Sequence, residues 1–101
     1  MYDIGLGVGV DYVETLKWYR LAAAQGFADA QYNLGLMYSK GQGVVQDDVH
    51  AHMWLNLAAE KGDANFVKSR DIAAARITQQ QIEKAQTLAR ECQVRRYKNC
   101  D

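Results

Sequence analysis

Residues 41–62 read GQGVVQDDVHAHMWLNLAAEKG, and residues 5–26 read GLGVGVDYVETLKWYRLAAAQG. The two segments share one pattern, displaced by 36 residues along the chain. When residues 5–28 are aligned with residues 41–64, 11 of the 24 positions are identical. An internal repeat of this length is typical of helical solenoids, in which helix pairs stack side by side. The repeat therefore predicts an all-α fold.

Each repeat contains the signals of two helices. Asp47 or Asp48 can accept the unpaired N–H groups at the start of a helix that runs to about Lys61. An earlier helix is predicted over residues 28–39, with an apolar stripe at positions four residues apart: Ala30, Leu34 and Tyr38. Gly35 lacks a side chain, so another helix can approach closely at that position.

The last third of the chain departs from the repeat. Residues 63–76 still align as a first helix, and Thr78 with Gln81 then forms a capping box for a final helix. The outer face of that helix is polar, as the end of a solenoid requires. We therefore expect a single domain over residues 1–101, comprising a partial repeat (1–27), a complete repeat (28–62) and a divergent capping repeat (63–101).

The composition argues against several functional classes. Lys plus Arg equals Asp plus Glu, with 12 of each, so the net charge gives no reason to expect a nucleic-acid partner. No apolar run approaches the roughly 20 residues that span a bilayer, so membrane insertion is not expected. No phosphate-binding loop or nucleophile motif is present. We expect a non-catalytic protein that needs no cofactor.

Two pairs of residues suggest chemistry only at first sight. His50 and His52 are two residues apart, so a helix would point them in different directions, and we do not expect a metal site. Asp47 and Asp48 resemble a carboxylate pair, but helix capping explains them better.

Trp18 and Trp54 occupy equivalent positions of the repeat, which favours packing within or between repeats over a stacking platform for a ligand.

Two segments of the chain resemble the Sel-1-like repeat, a relative of the tetratricopeptide repeat. Residues 28–44, ADAQYNLGLMYSKGQGV, carry its first-helix pattern, and residues 54–62, WLNLAAEKG, carry its second-helix ending. The proline often found after Gly-Val is missing, because Val45 stands there. The resemblance implies a right-handed superhelix of antiparallel helix pairs, with a concave face that binds a protein or peptide.

The last 14 residues, LARECQVRRYKNCD, are also similar to the C-terminal cap of some bacterial members, and this similarity implies a pairing of the two cysteines. On a continuous helix, Cys92 and Cys100 would lie about 12 Å apart, whereas a disulfide needs Cα atoms within about 7 Å. If they pair, the helix must end near Val94 and the chain must turn back. The alternative is a buried Cys92 thiol. A paired state would indicate a periplasmic or secreted protein, and an unpaired state a cytoplasmic one.

The first repeat lacks most of its first helix, because Met1 aligns with Met37. Trp18 and Leu21 on the helix predicted over residues 11–25 would then present apolar surface to water. We expect either a fragment of a longer solenoid or self-association through this helix. Residues 1–10 could instead fold back as a lid.

The resemblance also indicates where a partner would bind. The concave face corresponds to one flank of each first helix, and eight residues are expected there: Asp29, Asn33, Met37, Lys40, Asn65, Ser69, Ala73 and Arg76. Amide and hydroxyl groups on this flank can bond a peptide backbone, and Met37 would offer an adaptable apolar contact.

The function predicted from the sequence is an adaptor or scaffold that binds a protein or peptide in this groove. A first alternative is a cell-envelope enzyme or binder of β-lactams, as in some cysteine-rich relatives. The repeats of this chain contain no cysteine, which counts against that alternative. A second alternative is a structural spacer within a longer protein.

Overall fold

The computed structural model describes residues 11–60 and 62–100, and these residues form five α-helices and no strand. The helices are α1 (Tyr12–Ala24), α2 (Ala28–Lys40), α3 (Asp48–Ala59), α4 (Ala64–Ala74) and α5 (Gln79–Val94). The predicted all-α solenoid fold is confirmed. Residues 1–10, for which a lid was the alternative interpretation, lie outside the described residues. No described helix combines the length and the apolar character that crossing a bilayer would need.

The helices begin where the sequence predicts, because a polar side chain accepts the first unpaired N–H groups of four of them. Asp47 accepts hydrogen bonds from the backbone of Val49 at 3.0 Å and His50 at 3.1 Å, so Asp47 is the cap of α3. Thr78 and Gln81 form the predicted capping box at the start of α5. Asp11 and Asp63 cap α1 and α4 in the same way.

Helix α3 is the centre of the fold, since it packs against α2, α4 and α5. Eight of its 12 residues are buried. Helix α4, by contrast, has no buried residue and packs on α3 as an outer layer. The core is formed by the apolar faces of α1, α2, α3 and α5.

Helices α2 and α3 approach closely at Gly35, as the sequence predicts. A Cβ atom at this position would lie 2.9 Å from Cγ of Leu55 and 3.1 Å from the carbonyl oxygen of Ala51. Because the second of these atoms belongs to the α3 backbone, a side chain at position 35 would have to push the two helices apart.

Helix α2 is buried on two faces, because it packs against both α1 and α3. This arrangement corrects the prediction for Met37, whose side chain belongs to the core and is only 4% exposed. The stripe of Ala30, Leu34 and Tyr38 predicts one buried face, whereas a helix that lies between two neighbours has two. Gln31 is also buried, and its amide donates to the carbonyl of Ala23 at the end of α1, at 3.2 Å.

The end of α5 is closed by a disulfide between Cys92 and Cys100, whose Cα atoms are 5.3 Å apart. The helix ends at Val94, as the pairing requires, and the chain reverses through Arg96 and Tyr97, which have positive φ. The N–H of Tyr97 donates to the carbonyl of Cys92 at 2.8 Å, the bond that closes a Schellman turn. A bonded pair of cysteines is compatible with an oxidising compartment.

The turn that follows α5 reaches back to the first helix pair. The ring of Tyr97 lies over Gly26, where a Cβ atom would be 3.3 Å from its Cε2. Gly26 has φ of +90° and lies in the turn between α1 and α2. The C-terminal turn thus packs on a segment that is about 70 residues earlier in the sequence.

The two histidines of α3 have different surroundings, in agreement with their two-residue spacing. Nδ1 of His50 lies 2.7 Å from Oδ2 of Asp47, and its ring stacks on Tyr38. His52 is 2% exposed, and its Nδ1 is buried without a hydrogen-bond partner. His52 takes the position that Leu16 has in the first repeat, which explains its burial.

The close approach at Gly35 yields a first prediction. Gly35→Ala should lower the free energy of unfolding by about 1–3 kcal/mol, because the added methyl overpacks the α2–α3 contact by more than the gain in helix propensity. Chemical denaturation would measure the change. Gln86→Ala, on the exposed face of α5, is the control and should stay within about 0.5 kcal/mol of the parent. A more stable Gly35→Ala chain would contradict the close contact.

Removing the disulfide should destabilise the fold. The disulfide joins two positions that are eight residues apart. Because it restricts the unfolded chain, a loop of this length stabilises the fold by about 2–3 kcal/mol. Denaturation with and without reductant should show a loss of this size for the parent chain. The double variant Cys92→Ala with Cys100→Ala should unfold at the same denaturant concentration in both conditions. If reduction leaves the parent unchanged, the two cysteines are not bonded in solution.

His52 should make stability depend on pH. Burial lowers the pKa of His52, the charge of Arg70 lowers that pKa further, and Asp71 opposes these effects. The folded chain therefore binds fewer protons than the unfolded one, and stability should fall as the pH drops below the ordinary histidine value of about 6.5. His52→Leu, which copies Leu16, should weaken this dependence below about pH 6.5. If His52→Leu leaves the pH dependence of stability unchanged, His52 is not the source of that dependence.

Candidate functional site

Two concave features of the described surface lie on either side of α2. The first is a pocket of about 620 Å³ between α1 and α2, called here the α1–α2 pocket. It is mostly apolar, and its lining consists of Thr15, Trp18, Tyr19, Ala22, Phe27, Asp29, Ala30 and Asn33.

Apolar side chains are exposed around the α1–α2 pocket. Trp18 is 50% exposed, whereas its equivalent in the second repeat, Trp54, is 3% exposed. Trp54 is packed in the core, as predicted, whereas Trp18 is half-exposed. Leu21 is half-exposed too, so α1 presents apolar surface to solvent, as expected for these two residues. Phe27, just before α2, is also exposed.

Few polar groups line the α1–α2 pocket. Burial raises the pKa of the Tyr19 phenol, so this group stays neutral at physiological pH. The side-chain amide of Asn33 donates to the backbone carbonyl of Asp29 at 2.8 Å, within α2. Among the described lining residues, the carboxylate of Asp29 is the one charged group. The pocket therefore suits an apolar occupant.

The second feature is a groove of about 330 Å³, called here the α2–α4 groove. Residues of α2, α3 and α4 and the turn after α4 contribute to its lining, which consists of Leu36, Ser39, Lys40, Leu55, Ser69, Ile72, Ala73 and Arg76. Leu55 is buried, whereas Ile72 is 56% exposed. The lining of the groove thus combines apolar and polar side chains.

The charged residues that line the α2–α4 groove in the described part of the chain are both cations. Lys40 lies in the last turn of α2, and Arg76 follows α4. Nη1 of Arg76 donates to Oγ of Ser39 at 3.1 Å, which joins the two sides of the groove. A guanidinium has five N–H donors, so this one bond leaves donors for a ligand. Two cationic side chains thus lie beside apolar side chains in the lining of this groove.

The repeat places similar side chains at equivalent points of the α2–α4 groove. Leu36 and Ile72 are 36 residues apart, and so are Lys40 and Arg76. Helix α2 contributes Leu36 and Lys40 to the lining, whereas α4 contributes Ile72 and the turn after it contributes Arg76. Both cations were among the residues predicted for the concave face. Leu36 and Ile72 were not, although aligning the repeat position by position pairs them.

The eight residues expected on the concave face do not form one site. Lys40, Ser69, Ala73 and Arg76 line the α2–α4 groove. The others are divided: Asp29 and Asn33 line the α1–α2 pocket, Asn65 is exposed and lines neither feature, and Met37 is buried. The two groups lie at different points along α2, and Met37, between Asn33 and Lys40 in the sequence, is buried in the core.

Within residues 11–60 and 62–100, no group of three or more His, Cys, Asp and Glu side chains is arranged to hold a metal ion. The carboxylate of Asp47 accepts hydrogen bonds from the backbone and ring of His50. Burial alone would raise the pKa of Asp47, but these bonds and the His50 charge lower it overall. Asp47 is therefore an ionised helix cap.

Comparison with known proteins supports the family that the repeat suggests. The family model described as Sel1 repeat matches residues 1–27 and residues 28–63. These two matches cover more than half of the 101 residues. A search of curated proteins finds no match. On the family match and the all-helical repeat structure, this chain belongs to the Sel1 repeat family.

Proposed function

We propose that the chain is a non-catalytic protein-interaction module, and that its α2–α4 groove binds a peptide segment carrying a carboxylate next to an apolar side chain. The composition of the groove is the observation that carries the proposal. Sel1 repeats are in general protein-interaction modules, which supports the broad class. The nature of the bound segment comes from the lining residues of this chain.

Charge complementarity favours an acidic segment. Lys40 and Arg76 lie in a lining that includes no Asp or Glu among its described residues, and Arg76 can hold a carboxylate with two parallel hydrogen bonds. An anion bound at this point would lie close to two cations. A basic segment would meet like charges, which disfavours it by the same reasoning.

The apolar contacts supply the rest of the recognition. Ile72 is 56% exposed, and Leu36 is partly buried beside it. An aliphatic or aromatic side chain placed between them would remove apolar surface from water. The hydroxyls of Ser39 and Ser69 can bond the backbone of the segment. The volume of the groove, about 330 Å³, suits side chains of a short peptide rather than a folded domain.

A library of random peptides selected on the immobilised chain would test the proposal. The enriched peptides should carry Asp or Glu close to an apolar residue. The double variant Lys40→Glu with Arg76→Glu should bind them at least about tenfold more weakly, because it replaces attraction by repulsion. Isothermal titration calorimetry with one enriched peptide would measure this ratio, and the affinity should also fall at high salt.

The control variant is Lys84→Glu with Arg90→Glu, which makes the same change in net charge on the exposed face of α5. It should bind the peptide as the parent does. Peptides that bind the groove variant and the parent equally would show that the groove is not the binding site. If selection enriches no acidic–apolar motif, the proposal is wrong, and a structural role becomes the better account.

A further inference from the structure

A buried histidine occupies a position on α3 where the first repeat has a leucine. His52 and Leu16 are 36 residues apart, and Leu16 belongs to the apolar core. His52 is equally buried, with 2% of its surface exposed, but its Nδ1 has no hydrogen-bond partner. A buried polar atom without a partner is unfavourable, and a leucine would avoid it. Packing alone therefore does not explain the histidine.

His52 lies where α3 meets α4. The charges of Arg70 and Asp71, both on α4, act on its ring. Arg70 is partly buried, as are Phe66 and Ala73. These three residues are spaced by four and three positions, so they share one face of α4. The least exposed face of α4 thus brings a cation close to the imidazole.

The other helices that pack on α3 bring no charge to His52. Among the described residues, Arg70 and Asp71 are the groups whose charges act on it. Nε and Nη2 of Arg70 donate to Oδ1 of Asp71 at 3.2 and 3.0 Å, so this carboxylate already binds a cation. The charged residues of α2 and α5 are all exposed: Asp29, Lys40, Glu83, Lys84, Arg90 and Glu91.

Protonation of His52 is unfavourable as long as α4 covers it. Both ring nitrogens of an imidazolium carry a hydrogen, so Nδ1 would become a buried donor without an acceptor. The ring would also place a second positive charge near Arg70. Burial and the Arg70 charge accordingly lower the pKa of His52 by more than the Asp71 charge raises it.

Helix α4 is the element that can move away from His52 most easily. It has no buried residue, and its main packing is on α3. Helix α5 packs directly on α3, so it does not depend on α4 for its position. Local opening has the lowest free energy in segments that bury few apolar contacts.

We propose that protonation of His52 releases α4 from α3 and takes the α2–α4 groove apart, so that the groove binds its peptide segment at neutral pH and releases it in acid. Helix α4 supplies Ser69, Ile72 and Ala73 to the lining, and Arg76 follows that helix. The inference rests on the function proposed for the groove and adds its regulation by pH.

Hydrogen exchange followed by mass spectrometry tests the release of α4 without any ligand. The parent and His52→Leu should be compared at pH 7.5 and at pH 5.0, because at one pH their α4 amides have the same intrinsic exchange rates. On acidification, the ratio of the parent rate to the variant rate in α4 should rise at least about threefold. Its upper limit is about thirtyfold, which an ordinary histidine pKa of about 6.5 sets. The ratios in α2 and α3 should stay constant.

Two further variants make the exchange experiment specific. His52→Gln is uncharged at both pH values and keeps a polar side chain, so it should behave as His52→Leu does. The chain has two histidines, and His50→Gln removes the other one. It should leave the acid response of α4 as it is in the parent. Circular dichroism would check that each variant folds.

Isothermal titration calorimetry with an acidic peptide selected on the groove connects the release of α4 to binding. The affinity of the parent should fall at least about threefold between pH 7.5 and pH 5.0, and that of His52→Leu by less than about 1.5-fold. Aspartate and glutamate side chains with ordinary pKa values stay largely ionised at pH 5.0. Titration of the peptide itself therefore contributes little to the change.

Three results would overturn the proposal. The first is a ratio of exchange rates in α4 that does not change with pH. The second is an equal acceleration of α2, α3 and α4, because the whole chain would then unfold. The third is the same pH dependence of peptide affinity in the parent and in His52→Leu. If selection enriches no acidic peptide, the function proposed for the groove is wrong, and exchange still decides separately whether His52 releases α4.

Discussion

The close approach of α2 to α3 at Gly35 is the contact on which the other packing depends. Helix α3 supports α2, α4 and α5, and α2 in turn carries α1. A side chain at position 35 would meet Cγ of Leu55 and the α3 backbone at Ala51. Because Leu55 also lies in the lining of the α2–α4 groove, the spacing of these two helices sets both the core and the shape of the groove.

The alignment of the repeats predicts much of this structure, but it does not reveal how many neighbours each helix has. Helix positions, the Asp47 cap, the capping box at Thr78 and the close approach at Gly35 are local or pairwise features that a sequence pattern encodes directly. Met37 was misplaced because burial depends on how many neighbours a helix has, and a stripe of Ala30, Leu34 and Tyr38 does not reveal a second neighbour. Trp18 and Trp54 occupy equivalent positions of the repeat, yet one is half-exposed and the other is buried, because burial depends on the neighbours of each helix.

The two concave features follow from the same geometry with different side chains. The repeat brings Leu36 beside Ile72 and Lys40 near Arg76, so the α2–α4 groove has a regular composition that could be predicted only by aligning these positions. The α1–α2 pocket lies on the face of α1 that corresponds in the repeat to a buried face of α3, and its lining is mostly apolar. The same helix geometry therefore carries cations at one concave feature and mostly apolar side chains at the other.

The turn that carries Tyr97 changes how such a repeat protein is expected to unfold. In a solenoid whose repeats touch only their neighbours, each end can fray independently. Here the disulfide-closed turn rests on Gly26, so the last segment is in contact with the first described helix pair. Loosening either end removes a contact from the other, and the chain should behave as one cooperative unit, whose melting transition has the same midpoint by every probe.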